Sequence, residues 1–151
     1  MGEVLFYHLT RSPLEGALAS LLPRALAMGW RVAIRGRDRA RLEWLDQRLW
    51  LGPEEGFLPH GVAGGAHDAR QPVLLTTAAE APNGPQVLAV IDGAEVAPEE
   101  AAGLERLWIF FADAEPGAVE AARDLYRRFR AAGVVPQYWS EAGGRWERQA
   151  G

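Results

Sequence analysis

The residue types able to do chemistry are few in this sequence and are poorly grouped for catalysis. It holds three histidines, His8, His60 and His67, and no cysteine, so thiolate chemistry and a disulfide framework are both excluded. Only His60, His67 and Asp68 lie close together along the chain, in a glycine-rich stretch. A zinc site needs three or four ligands ordered by their neighbours, so no metal is expected there. No G-x-S-x-G elbow is present. Ser12 reads as a helix cap, Ser20 falls inside a helix, and Ser140 has Glu141 beside it but no nearby histidine to activate it. No G-x-G-x-x-G follows the first apolar run, and a chain without lysine has no P-loop, so the usual phosphate cradles are not encoded. What remains for an enzyme is Asp92, in the turn-forming dipeptide "DG", with His8 and His60. A small α/β enzyme using these three at the carboxyl ends of strands is the alternative function. No cofactor is expected.

A different kind of chemistry is better represented. All 16 cations are arginines; against 20 acids they leave a net charge of −4 and a pI near 5.4. A chain that grips phosphates is normally basic, so direct nucleic-acid binding is not expected. The six tryptophans, Trp30, Trp44, Trp50, Trp108, Trp139 and Trp146, are scattered and lack the basic groove that a stacking platform needs. Within this acidic background, "RDLYRRFRAAG" places Arg123, Tyr126, Arg127 and Arg130 at i, i+3, i+4 and i+7, on one face of a helix. Guanidinium forks grip carboxylates in bidentate fashion, and a phenol offers an apolar wall with a polar tip. That set suits an acidic peptide. It also suits a solvated helix end, where cations complement the macrodipole, and spacing alone leaves both readings open.

A second group is apolar. Trp50, Phe57, Leu58 and Pro59 cluster around "GFLPHGVAGG", a glycine-rich loop that offers few side chains to cover them. They are residue types that dominate protein–protein contacts, or else a satellite cluster packed over a sheet edge.

Both groups need a scaffold, and the chain alternates strand-like and helical runs. Strands are expected over residues 3–9, 30–34, 72–77, 86–93, 106–112 and 134–141. Helices are expected over 12–29, with Ser12 as N-cap and a kink or end near Pro23, over 38–50, briefly over 98–103, and over 115–132. In the last helix Ala118, Ala121, Ala122, Leu125, Phe129 and Ala132 form the buried stripe. Near-continuous apolar strands between helices indicate a single Rossmann-like three-layer α/β domain over residues 1–151, with a mostly parallel sheet and helices on both faces. "MGEVLFYHLT" has no signal-peptide pattern and no apolar run is long enough to span a bilayer, so a cytoplasmic protein with no membrane partner is expected.

Taken together, "VLFYHL", "RLEWLDQRLW", "GFLPHGVAGG", "PVLL" and "RDLYRRFRAAG" resemble the chi subunit family of bacterial DNA polymerase III, with "FLPHGVAG" after "LW" and the R-x-x-Y-R-x-x-R-x-A-G spacing the most specific. The resemblance implies a non-catalytic clamp-loader accessory protein. Its partners would be the acidic C-terminal tail of single-stranded DNA-binding protein and the small psi subunit, or another clamp-loader or helicase partner. By that resemblance Arg123, Tyr126 and Arg127 match the tail-binding positions and Arg130 a further basic one. Phe57 matches an aromatic used for psi or a competing helicase, with Trp50 beside it, and His60 is expected to order its loop. The chain departs from the family at Val119, where a lysine is often found, and Glu120 adds an acid next to it.

Overall fold

Strands whose every residue is buried need cover on both faces, and the central strands here are of that kind. The computed structural model describes residues 2–50, 59–141 and 143–151. Its strands are β1 (Glu3–Leu9), β2 (Val32–Arg35), β3 (Gly61–Val62), β4 (Val73–Thr76), β5 (Val87–Val90), β6 (Arg106–Ala112), β7 (Gln137–Ser140) and β8 (Glu147–Ala150). The helices are α1 (Leu14–Ala27), α2 (Arg39–Trp50) and α3 (Ala118–Ala131), with short 3-10 segments at Asp68–Arg70 and Pro98–Gly103. All eight strands form one sheet in the order β3-β4-β2-β5-β6-β1-β7-β8. Every pairing is parallel except β7 with β8, which is antiparallel.

Two cores follow from the two-residue alternation of side chains. Leu5, Tyr7 and Leu9 of β1 join Leu18 and Leu22 of α1 and Leu42 and Leu45 of α2 on one face. Val4 and Phe6 join Ala122 and Phe129 of α3, and Ala101 of the second 3-10 segment, on the other. The expected three-layer α/β architecture is therefore the observed one.

Several local expectations are corrected. Ser12 does not cap α1; the N-cap is Pro13, with no side-chain capping bond, and the Ser12 hydroxyl donates to Glu141 instead. Pro23 neither ends nor divides α1, which runs on to Ala27. In α3, Ala121 and Ala132 are exposed and Tyr126 turns inward in their place. β3 is a short strand within the glycine-rich stretch read as a loop, and β8 lies beyond the last strand expected from the sequence.

Candidate binding cleft beside the last helix

Ordinary features of sequence place α3. Gly117, at φ 80°, opens the helix and Gly133, at φ 86°, closes it, both in the left-handed region that glycine tolerates best. Val134 N–H returns to the Phe129 carbonyl at 3.0 Å, so the chain folds back at once toward β7. Phe129 packs edge-on to Phe6, their centroids 6.1 Å apart. Tyr126 packs on the same phenyl ring at 5.4 Å.

That packing decides what α3 shows to solvent. Arg123 and Arg127, one turn apart, are exposed, and Tyr126 lies half-buried between them. Ala122, Arg123, Tyr126 and Arg127 form one side of a cleft of about 260 Å³, and Tyr138 of β7 and Ala150 of β8 form the other. The Tyr126 hydroxyl donates to the Pro136 carbonyl at 3.2 Å, so its polar tip is used within the fold and its ring is what lines the cleft. Arg127 pairs with Asp124 at 2.9 Å across an exposed i,i+3 step. Such surface pairs contribute only about 0.2–0.5 kcal/mol and exchange readily. Arg123 and Arg130 make no ion pair among the described residues. Arg130 is exposed but lies outside the cleft lining. Val119 is half-buried against the core.

Tyr138 and Ala150 were not singled out from the sequence. Parallel pairing of β7 with β1 sets Tyr138 beside Phe6, and no local pattern encodes which strands become neighbours. The Tyr138 hydroxyl lies 2.8 Å from His8 Nδ1, and His8 Nε2 lies 3.0 Å from Asp113 Oδ1. One tautomer satisfies both contacts: the phenol donates to Nδ1 and the Nε2–H donates to the carboxylate. His8 also stacks on Phe111 at 4.7 Å. Burial raises the Tyr138 phenol above its ordinary value, with nearby Arg123 opposing that and Asp113 adding to it.

The alternative set does not assemble. His8 belongs to the network just described. Asp92 pairs with Arg41 at 3.0 Å, in a separate cleft of about 560 Å³ at the carboxyl ends of β1 and β6. His60 is buried on α2, with Nε2 3.0 Å from the Asp46 carbonyl and 3.3 Å from its carboxylate. The partners described for the three differ: Tyr138 and Asp113 for His8, Arg41 for Asp92 and Asp46 for His60. At the end of β1, where an α/β sheet commonly receives a ligand's anion, the chain supplies its own. Glu141 Oε1 accepts from the amides of Thr10 at 3.1 Å and Arg11 at 2.7 Å, and from that of Ser12 at 2.5 Å. Asp68, the other acid considered with His60 and His67, accepts from the Gly64 and Gly65 amides.

Of the apolar group, Phe57 and Leu58 lie outside the described residues. Trp50 is 47% exposed and rests on His60 with centroids 4.2 Å apart, next to half-buried Pro59. His60 thus ties the start of β3 to α2.

Fold and cleft together describe an α/β domain with an arginine- and tyrosine-lined cleft between its last helix and the β7–β8 edge of its sheet. Over residues 1–137 the sequence matches the family model described as DNA polymerase III chi subunit, HolC, and the chain belongs to that family. A similar protein is the probable DNA polymerase III subunit chi of Rickettsia prowazekii (strain Madrid E), 26% identical over 97 residues. That alignment covers 64% of this chain and 59% of the relative. Arg123, Tyr126 and Arg127 fall inside the family match; Tyr138 and Ala150 lie beyond it.

Proposed function

We propose that this chain is a non-catalytic accessory subunit of the DNA polymerase III holoenzyme that seats the acidic C-terminal tail of single-stranded DNA-binding protein in the α3 cleft. The observation that carries this reading is the cleft itself, with Arg123 at its rim making no ion pair among the described residues, Arg127 only weakly held, and ring and methyl groups behind them. Family membership supports the replisome setting. The apolar residues Trp50, Phe57, Leu58 and Pro59 serve a second partner, the psi subunit or another clamp-loader or helicase protein. The holoenzyme is thereby tethered to coated single strands without this subunit gripping DNA.

Titration calorimetry with a synthetic tail peptide tests the reading. Arg123→Ala weakens binding by about 1.5–3 kcal/mol, the size of a hydrogen bond to a charged group, and raising the salt concentration weakens the wild-type complex. Unchanged affinity in Arg123→Ala would remove this cleft from the account.

A further inference from the structure

We infer that the groove between α1 and the β7–β8 ribbon, walled by Tyr7, Leu21, Trp139 and Trp146 with Arg24 at its rim, is a second binding site, for a small planar aromatic carboxylic acid. It lies on the other face of the sheet from the α3 cleft, because Trp139 packs on the core that holds α1 while its neighbour Tyr138 packs on the core that holds α3. The inference is therefore independent of the acidic-tail reading.

Sequence spacing builds the groove. Ala17, Ser20, Leu21 and Arg24 fall at i, i+3, i+4 and i+7, on one face of α1. Tyr7 and Trp139 are register partners on the parallel pair β1–β7, so their side chains share a face of the sheet. Trp146 comes from the chain just before β8 and meets the Tyr7 ring edge-on, with centroids 5.5 Å apart. Tyr7 also stacks on Phe110 at 5.1 Å, so its ring is held from two sides. Ala17 and Ser20 are small, and the space left between helix and ribbon is about 360 Å³, the size of a small-ligand pocket.

The chemistry of the lining names the ligand. Arg24 is exposed and makes no ion pair among the described residues. The Tyr7 hydroxyl makes no hydrogen bond among them either, and its oxygen is not sealed in the core. Burial pushes this phenol up to about 12, with Arg106 and Arg24 opposing that and Glu3 adding to it, so at neutral pH it stays protonated and donates. A carboxylate is the group that a guanidinium and a phenol can share, since each of its oxygens accepts. The lining holds no Asp or Glu to repel it. Trp139 spends its indole N–H on Gln137 Oε1 at 2.9 Å, which leaves ring surface to the groove. Walls of indole and phenol favour a flat apolar body, which gains offset and edge contacts there.

The test titrates the full chain by calorimetry with 2-naphthoate and with 2-naphthamide, which has the same rings but no charge. Wild type binds naphthoate about ten-fold tighter than naphthamide, as expected for a charge-assisted hydrogen bond. Arg24→Gln removes that advantage and leaves naphthamide binding unchanged. Tyr7→Phe, which keeps the ring against Phe110 and Trp146, lowers naphthoate affinity about three-fold. Trp146→Ala weakens both probes, and Trp146→Phe, which keeps a ring, recovers part of the loss. Arg123→Ala, in the α3 cleft, changes neither. Equal wild-type affinity for the two probes, binding of neither, or full naphthoate affinity in Arg24→Gln or in Tyr7→Phe overturns the inference. So does a loss of naphthoate binding in Arg123→Ala, which would place the probe in the α3 cleft.

Discussion

Arg123 and Arg127 stand one turn apart on the same helix face, yet their surroundings differ. Arg123 has no carboxylate partner among the described residues, whereas Arg127 shares its guanidinium with Asp124. An acidic ligand must displace that partner and tolerate its charge. Asp124→Ala is therefore expected to tighten binding of an acidic tail peptide about two- to three-fold, consistent with the small strength of exposed i,i+3 pairs. Fluorescence anisotropy at low salt reads this directly, and weaker binding in the variant would mean that Asp124 orients Arg127 instead of competing for it. Tyr126 teaches a related lesson. Its polar end is committed to Pro136, so in the cleft it contributes a ring, not a hydroxyl.

At the level of the element, α1 shows local propensity overruled. Pro23 offers no N–H to the Ala19 carbonyl, and its ring crowds the preceding turn. Helix nevertheless continues to Ala27, because Leu14, Leu18, Leu22 and Ala25 are buried along one side. Pro23 itself is exposed. Pro23→Ala is expected to stabilise the protein by about 1–3 kcal/mol, measured by urea unfolding; no gain would mean that the proline lowers the entropy of the unfolded chain enough to offset its cost. The β7–β8 ribbon shows the opposite case. β8 is wholly exposed, with three polar residues before Ala150, so no apolar alternation marks it as a strand, yet it supplies Ala150 to the cleft.

Across the whole molecule, two carboxylates pin distant segments together. Glu100 receives the Arg35 guanidinium in bidentate fashion, at 2.7 and 3.1 Å, joining the Pro98–Gly103 segment to the end of β2. Hydrogen bonding from Arg35 is the main reason its pKa is lowered; burial opposes this and the Ala97 amide adds to it. For Glu141, burial pushes upward, but the Ser12 hydroxyl and the amides of Ser12, Arg11 and Thr10 together outweigh it, and the net shift is downward. Both groups have an ordinary value of 4.5. A carboxyl with a lowered folded-state value contributes stability that is complete above its unfolded value and is lost as pH falls through the folded one. Asp46 runs the other way: burial raises it, against His60 and Trp50, so acidification relieves its penalty. With Glu100 and Glu141 both hydrogen-bonded as carboxylates, unfolding free energy should fall between pH 6 and pH 3. Urea titrations across that range check it, and Glu141→Gln should flatten the slope; a flat wild-type profile would mean that these carboxylates are not held as described.

The sequence by itself determined the alternation of elements, the α/β class, and the placement of Arg123, Tyr126 and Arg127 on one helix face, because these depend on periodicity within a few turns or one strand. It also carried the family, through motifs spread along the chain. Only the tertiary structure decided that Tyr138 and Ala150 face those arginines, that His8 holds a phenol instead of joining Asp92 and His60, and that Glu141 fills the amide nest at the end of β1. Each of these joins residues brought together by strand order, and strand order follows from how whole faces bury against one another, which no local spacing records.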